Sequence, residues 1–173
     1  MNCPSCGAPM RVSGDTMQCD YCRTIVVPEK SDEGVTVLGD GPGDECPICN
    51  LALVQAAIAK TPILFCSKCS GMLISMDLFP ELVETLREQQ HNKVPVGSAA
   101  NPDDLRRHIA CPHCHRPMDA HFYAGPGNVV LDSCDFCNLN WLDHGELLRI
   151  ARAPEYFDTA GDDTTYTLTD SDS

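Results

Sequence analysis

The chain carries twelve cysteines, and all of them fall in C-x-x-C pairs with none left over. The pairs are Cys3/Cys6, Cys19/Cys22, Cys46/Cys49, Cys66/Cys69, Cys111/Cys114 and Cys134/Cys137. Taken two at a time, they give three sets of four thiols, with 12, 16 and 19 residues between the pairs of a set. Four thiolates on two facing turns are the usual ligands of a structural zinc ion. The spacing therefore predicts three zinc ions with these twelve cysteines as their ligands.

The predicted sites are closed, because four thiolates leave no position on zinc for water or substrate. Iron bound as in rubredoxin is an alternative, since thiolate donors do not separate the two metals. Redox exchange is another, although six equivalent pairs are more typical of ligands than of a catalytic dithiol. The opening Met1-Asn2-Cys3 has no basic or apolar stretch, so we expect a cytoplasmic protein whose thiols bind metal rather than form disulfides.

The remaining reactive side chains give no enzyme signature. His113 and His115 flank a cysteine and are expected to face solvent. His144 lies between Asp143 and Glu146, but a helix cap at Asp143 with Glu146 three residues on accounts for both carboxylates. The sequence contains no Ser/His/Asp arrangement, no phosphate-binding glycine loop and no nucleotide fingerprint. We expect no catalytic residue and no small-molecule substrate.

The charge of the chain restricts its partners. The formal net charge is −13, and each four-thiolate zinc site adds −2, which brings the total to about −19. Such a chain repels phosphate backbones, so nucleic acid is disfavoured and a basic protein partner is favoured. The sequence contains no run of 18 apolar residues, so it predicts no membrane-spanning helix. Nucleic-acid binding stays an alternative that needs a local basic face, for which the candidates are Arg106, Arg107, Lys68, Arg116, Arg149 and Arg152.

The pattern around the cysteines predicts a small, metal-stabilised α+β protein of three tandem zinc ribbons built from β-hairpin knuckles. Units of this size seldom fold without metal, and we expect no continuous apolar core through all three. The predicted divisions are ribbon 1 (1–28), an acidic linker (29–45), ribbon 2 with an amphipathic helix (46–90), a second linker (91–100), a short helix with ribbon 3 and a C-terminal helix (101–153), and an acidic disordered tail (154–173).

The helix predicted over residues 77–88 carries one apolar face. The side chains on that face are Leu78, Phe79, Leu82, Val83 and Leu86. Packing on its own ribbon is the simpler interpretation. A partner or dimer surface is the alternative, because a ribbon offers little area to cover five large side chains.

The modules repeat one another, since Cys3-Pro4-Ser5-Cys6 returns as Cys46-Pro47-Ile48-Cys49 and Cys111-Pro112-His113-Cys114. The third module resembles the transcription factor IIB-type zinc-finger family, in which a hairpin with two knuckles precedes Trp-Leu-Asp-x-Gly-Glu-Leu, here residues 141–147. It departs from the family at Asn138-Leu139, where two glycines are usual. The second module resembles the family more weakly, and the first is a generic zinc ribbon. The resemblance implies zinc on these cysteines and leaves the biochemical activity open.

These observations lead to a functional hypothesis. We expect a non-enzymatic zinc protein that acts as a protein-interaction or regulatory adaptor, with an unknown protein partner bound through the 77–88 helix face. Transcription-associated nucleic-acid binding is the alternative, and an iron or redox protein is a third.

Overall fold

The computed structural model describes residues 2–13, 16–28, 30–90, 103–125 and 128–153. Within these ranges the protein is α+β, with two antiparallel sheets and two α-helices. The predicted linker at 91–100 and the predicted tail at 154–173 lie outside the described residues, as does the start of the predicted short helix at Asn101 and Pro102. A 3-10 turn, Asp104–Arg106, occupies the described part of that segment.

The first ribbon forms a small three-stranded sheet. Its strands are β1 (Met10–Ser13), β2 (Thr16–Cys19) and β3 (Ile25–Val26), in the order β1-β2-β3. The two pairs of cysteines flank the β1-β2 hairpin, whose register sets Met10 opposite Cys19. Met17, at 1% exposure, points from β2 into the protein interior.

The second and third ribbons share one large sheet. Its strands are β4 (Val35–Glu45), β5 (Ala52–Ile58), β6 (Thr61–Phe65), β7 (Met72–Ser75), β8 (Asp119–Phe122), β9 (Val130–Cys134) and β10 (Leu139–Leu142). The strand order is β4-β5-β6-β7-β10-β9-β8. The pairing of β7 with β10, which sets Leu73 opposite Trp141, joins the two modules. The second and third modules therefore share one sheet and one core, and do not form the separate ribbons that the tandem pattern predicts.

The segment at 29–45, predicted to be an acidic linker, contains the eleven-residue strand β4, which takes up Val35–Glu45. It pairs with β5 from Val35↔Ile58 to Glu45↔Ala52, with two shifts of register. Buried Val35 and Leu38 hold its first half in place. Its glycines, proline and acids are compatible with a strand at a sheet edge, where one side makes no ladder hydrogen bonds and bulges are tolerated.

The hairpin between β5 and β6 turns one residue earlier than the sequence suggests. We predict the turn at Lys60-Thr61-Pro62, but Thr61 already pairs with Ile58. The turn residues are Ala59 and Lys60, both with positive φ (48° and 73°). Two consecutive positive φ values are typical of the type I′ turn, whose twist matches that of the strands.

Two helices cover one face of the large sheet. They are α1 (Phe79–Gln90) and α2 (Glu146–Arg152), and they contact each other. Phe79, Leu82, Val83 and Leu86 on α1 are all at most 5% exposed. These side chains pack with residues of β6, β7 and α2 in one core cluster. The apolar face of the predicted 77–88 helix is thus covered by the chain itself.

The opposite face of the large sheet carries the cysteines. Side chains alternate between the two faces of a strand, so Met72 and Ile74 join the core under the helices while Leu73 points the other way. On β10 the same alternation directs Leu142 toward the helices and Trp141 toward the cysteines. The sheet therefore positions the cysteines of both ribbons on one side.

Candidate metal centres

All six C-x-x-C pairs fold into the same turn. The residue after the second cysteine has a left-handed backbone in each, and these residues are Gly7 (φ 74°), Arg23 (64°), Asn50 (53°), Ser70 (59°), His115 (60°) and Asn138 (57°). In the first five turns, the N–H of that residue donates to the carbonyl of the first cysteine over 2.8–3.0 Å. One backbone geometry therefore presents every pair of thiols.

The turns meet two by two and form three sites. The first site is Cys3, Cys6, Cys19 and Cys22; the second is Cys46, Cys49, Cys66 and Cys69; the third is Cys111, Cys114, Cys134 and Cys137. Within each site the four sulfurs lie within 4.8 Å of one another. The chain thus brings its cysteines together in the sets that the spacing predicts, and each set could hold a metal ion.

The distances between sulfurs fit a tetrahedral ion better than disulfides. Sulfur–sulfur distances within the sites include Cys3–Cys22 at 3.4 Å, Cys6–Cys19 at 3.5 Å, Cys46–Cys69 at 3.6 Å and Cys114–Cys134 at 3.7 Å. An ion with bonds of about 2.3 Å to four sulfurs would separate them by about 3.8 Å. A disulfide needs about 2.05 Å, and all twelve cysteines are free.

The electrostatics of the thiols favour a cation. The hydroxyl of Thr24, 3.1 Å from Cys22, lowers the pKa of that thiol to about 6. The backbone N–H of Arg116 lowers the pKa of Cys114 to about 7. In the same third site, desolvation and the neighbouring Cys114 raise the pKa of Cys137 to about 12. The protein alone therefore ionises only some of the thiols, whereas a divalent ion would offset the repulsion among four thiolates.

Trp141, expected to be a core side chain over its own ribbon, is fully buried, and it also reaches the second module. Its ring lies against Gly71, where a Cβ would overlap Cζ2 of the indole. Its indole N–H donates to Asp143 over 3.0 Å. Leu147, at the end of the same 141–147 motif, belongs to the separate core cluster under the helices. Trp141 thus ties the surroundings of the second site to those of the third.

Arg107 belongs to a partly buried ion-pair network that the sequence does not reveal. We expect it to lie with Arg106 and His108 on a solvated basic face. Instead its guanidinium contacts the carboxylates of Asp132 and Asp143. Asp132 is fully buried, and its desolvation raises its pKa even beside this cation. The network fixes the segment before the third site onto β9 and the start of α2.

The cap of α2 differs from the predicted one. Glu146 accepts a hydrogen bond from the N–H of Asp143 over 2.8 Å, as expected, but the Asp143 carboxylate contacts Arg107 and Trp141 instead of capping the helix. Glu33 supplies the missing carboxylate, since it accepts the N–H of Gly145 over 2.6 Å. Glu33 is buried in the predicted linker, where no sequence signal sets it apart from its acidic neighbours.

The histidines stand apart from the cysteine sites. His113 and His115 are exposed, and Nδ1 of His113 lies 3.3 Å from Asp44. Nδ1 of His144 lies 3.1 Å from the Glu33 carboxylate. Among the described residues, none of these three histidines joins a group with metal-binding geometry.

Comparison with protein-family models, with curated proteins and with solved structures gave no match. The resemblance to transcription factor IIB-type zinc fingers therefore rests on the motifs alone. No helix in the described ranges is long and apolar enough to cross a membrane.

Proposed function

We propose that the chain is a non-enzymatic zinc protein in which three structural ions hold the fold together. The observation that carries this proposal is the convergence of four sulfurs at each site, within 4.8 Å of one another. Such a set saturates zinc, so the ion supplies structure and no open coordination position. Zinc is the proposed ion because it is the usual metal of closed four-cysteine sites built from two facing turns, and iron is the alternative that metal analysis tests. A reducing compartment such as the cytoplasm would keep the ligands as thiolates.

We further propose that the protein is an adaptor that binds another protein through a groove on the cysteine-bearing face of the large sheet. The groove has a volume of about 580 Å³. Its apolar lining includes Leu38, Pro62, Leu64, Leu73 and Leu139. This groove replaces the α1 face as the candidate surface, because the apolar side chains of α1 are already covered.

The charge of the protein indicates the chemistry of the partner. Asp44 lines the groove beside His113, and the formal net charge of the chain is −13. A segment with apolar side chains between lysines or arginines would complement both features. The proposed occupant is therefore a basic, apolar segment of another protein.

A matched pair of substitutions tests this adaptor function. Gln55 lines the groove, whereas Gln89 is exposed on α1 outside it. Binding to an array of synthetic peptides with alternating apolar and basic residues is measured for the wild type, Gln55→Lys and Gln89→Lys. We expect several-fold weaker binding for Gln55→Lys alone, on the scale of one unfavourable surface charge. Equal binding by all three proteins, or a preference for acidic peptides, would contradict the adaptor function.

Nucleic-acid binding is the second candidate, and one contact favours it. The guanidinium of Arg116 stacks 3.7 Å above the ring of Phe136, which is 67% exposed, and such pairs can stack on bases. Against it, Arg107 and Arg149 both face carboxylates. A mobility-shift assay with single-stranded DNA over a salt series decides between the candidates, because nucleic-acid binding weakens steeply with salt.

A further inference from the structure

The three cysteine sites differ in what surrounds their sulfurs. We propose that the first site is an exchangeable metal site, which takes up and releases a thiophilic divalent ion, while the second and third hold theirs permanently. This inference rests on the proposed function, since it assumes that each site binds zinc. It assigns different roles to three sites that are built from the same C-x-x-C pairs.

Solvent reaches the first site more readily than the other two. In every site the first cysteine of each pair is buried. The second cysteines differ, because Cys6 and Cys22 of the first site are exposed, whereas those of the second and third sites are half-buried. Two of the four ligands of the first site are therefore open to attack by an incoming ligand.

Apolar packing also distinguishes the first site from the second and third. All eight cysteines of the second and third sites belong to one cluster together with Leu53, Leu73 and Trp141. Releasing an ion from either site would expose part of this cluster to water, which costs about 25 cal/mol per Å² of apolar surface. No cysteine of the first site belongs to a core cluster within the described residues. Opening the first site would expose at most the small cluster of Met17, Leu38 and Ala57, which has three buried residues where the cluster around the other two sites has nine.

The chemistry of exchange follows from this exposure. A thiol-bearing or histidine-bearing acceptor would coordinate the ion through its own sulfur or nitrogen while the Cys22 or Cys6 sulfur leaves. Each step breaks one metal–sulfur bond and forms one metal–ligand bond, with no change in oxidation state. With a thiol acceptor, the proton of the incoming thiol passes to the departing thiolate. With a neutral imidazole acceptor, the departing thiolate takes its proton from water at this exposed site.

Release of this ion would also change a surface. The first ribbon contacts the large sheet where Met17 packs with Leu38 and Ala57. Leu38 lines the apolar groove as well. Since a ribbon of this size depends on its metal to fold, loss of the ion would free Met17 from the sheet and uncover Leu38 and Ala57 beside the groove. Metal occupancy of the first site would therefore set the extent of the exposed apolar surface.

The experiment uses the full chain loaded with three zinc ions. Native mass spectrometry counts the ions remaining at intervals after a chelator is added, while the fluorescence of Trp141, the one tryptophan of the chain, reports on the cluster around the other two sites. We expect one ion to leave roughly tenfold faster or more than the other two, as from a locally opening unit. Trp141 emission should stay constant during this first phase.

Two variants assign the fast phase. Cys22→Ser should bind two ions, lack the fast phase and keep the Trp141 emission of the wild type. Cys137→Ser, a matched change in the third site, should alter Trp141 emission and keep the fast phase. Loss of all three ions in one phase, or a first ion whose departure changes Trp141 emission, would overturn the inference and leave the proposed function standing. A chain that holds no metal would overturn both.

Discussion

Gly71 and Trp141 are in contact across the junction of the second and third ribbons. A Cβ at Gly71 would overlap Cζ2 of the indole and lie 2.9 Å from Cη2. The glycine is needed here for close approach, and both residues are buried. This contact, with the β7–β10 pairing, makes one body of two modules that the sequence presents as tandem repeats.

Gly71→Ala should lower the free energy of unfolding by about 1–3 kcal/mol, because the added methyl group overpacks the site. Chemical denaturation of the metal-loaded protein, followed by circular dichroism, measures the effect. The double variant Gly71→Ala/Trp141→Phe serves as the control, since the smaller ring makes room for the methyl group. Its loss should be less than the sum of the single losses. Additive losses would show that the contact is absent.

Gly7→Ala should weaken metal binding at the first site by about 1–2 kcal/mol. Gly7 has φ 74°, and its Cβ position has no neighbour within 4 Å, so the cost comes from the left-handed backbone alone. Gly7→Asn is the matched control, because Asn50 and Asn138 occupy the same position in other turns. Competition with a chelator measures both affinities. Equal loss in the two variants would contradict the shared turn geometry.

Arg107→Met should lower the free energy of unfolding by about 3–5 kcal/mol, because it leaves the buried Asp132 carboxylate without its cation. Arg106→Met is the neighbouring control. Arg106 is an exposed residue paired with Asp103 at 3.7 Å, and its loss should cost at most about 1 kcal/mol. Thermal or urea unfolding of the three proteins compares the values. Similar costs for both substitutions would rule out the buried network.

Glu146→Gln should remove a dependence of stability on pH. Desolvation raises the pKa of Glu146 from 4.5 to about 7. The folded state therefore binds this proton more tightly than the unfolded state, and the stability from that proton, complete below the unfolded pKa, is lost as pH rises through about 7. The amide oxygen introduced by the substitution would still accept the Asp143 N–H. The advantage of Glu146→Gln over the wild type should thus grow by about 1 kcal/mol between pH 6 and pH 8.

Gln89→Ala is the control for that titration, since Gln89 is an exposed, uncharged side chain on α1 and neither side chain titrates. Its stability difference from the wild type should stay constant over the same interval. A flat difference for Glu146→Gln as well would mean that Glu146 is ionised normally in the folded protein.

Local features of this protein follow from its sequence, and long-range ones do not. The C-x-x-C pairs predict the knuckle turns because each turn is closed by backbone hydrogen bonds within five residues. The spacing of the pairs along the chain predicts which two pairs share a site. The apolar repeat along residues 77–88 predicts α1 because the hydrogen bonds of a helix also join residues that are close in the sequence. By contrast, the contact of Trp141 with Gly71 depends on how β10 meets β7, which no local pattern encodes.

Charged residues show the same limit. Glu33 and Arg107 look like solvated charges beside other charges, yet each is held by a partner 25 or more residues away. The glycines and acids of β4 favour the prediction of a linker, although such residues are tolerated in a strand at a sheet edge. Residues 35–45 form a strand because they pair with β5. Neither the sequence of β4 nor that of β5 indicates this pairing by itself.

The count of metal ions per chain tests the central claim most directly. Elemental analysis of natively purified protein, together with titration of its thiols after unfolding, should give three zinc ions and twelve free thiols per chain. Removal of the ions by a chelator should then abolish the ordered structure of the ribbons. Cysteines joined as disulfides, or a protein that stays fully folded without metal, would contradict the account.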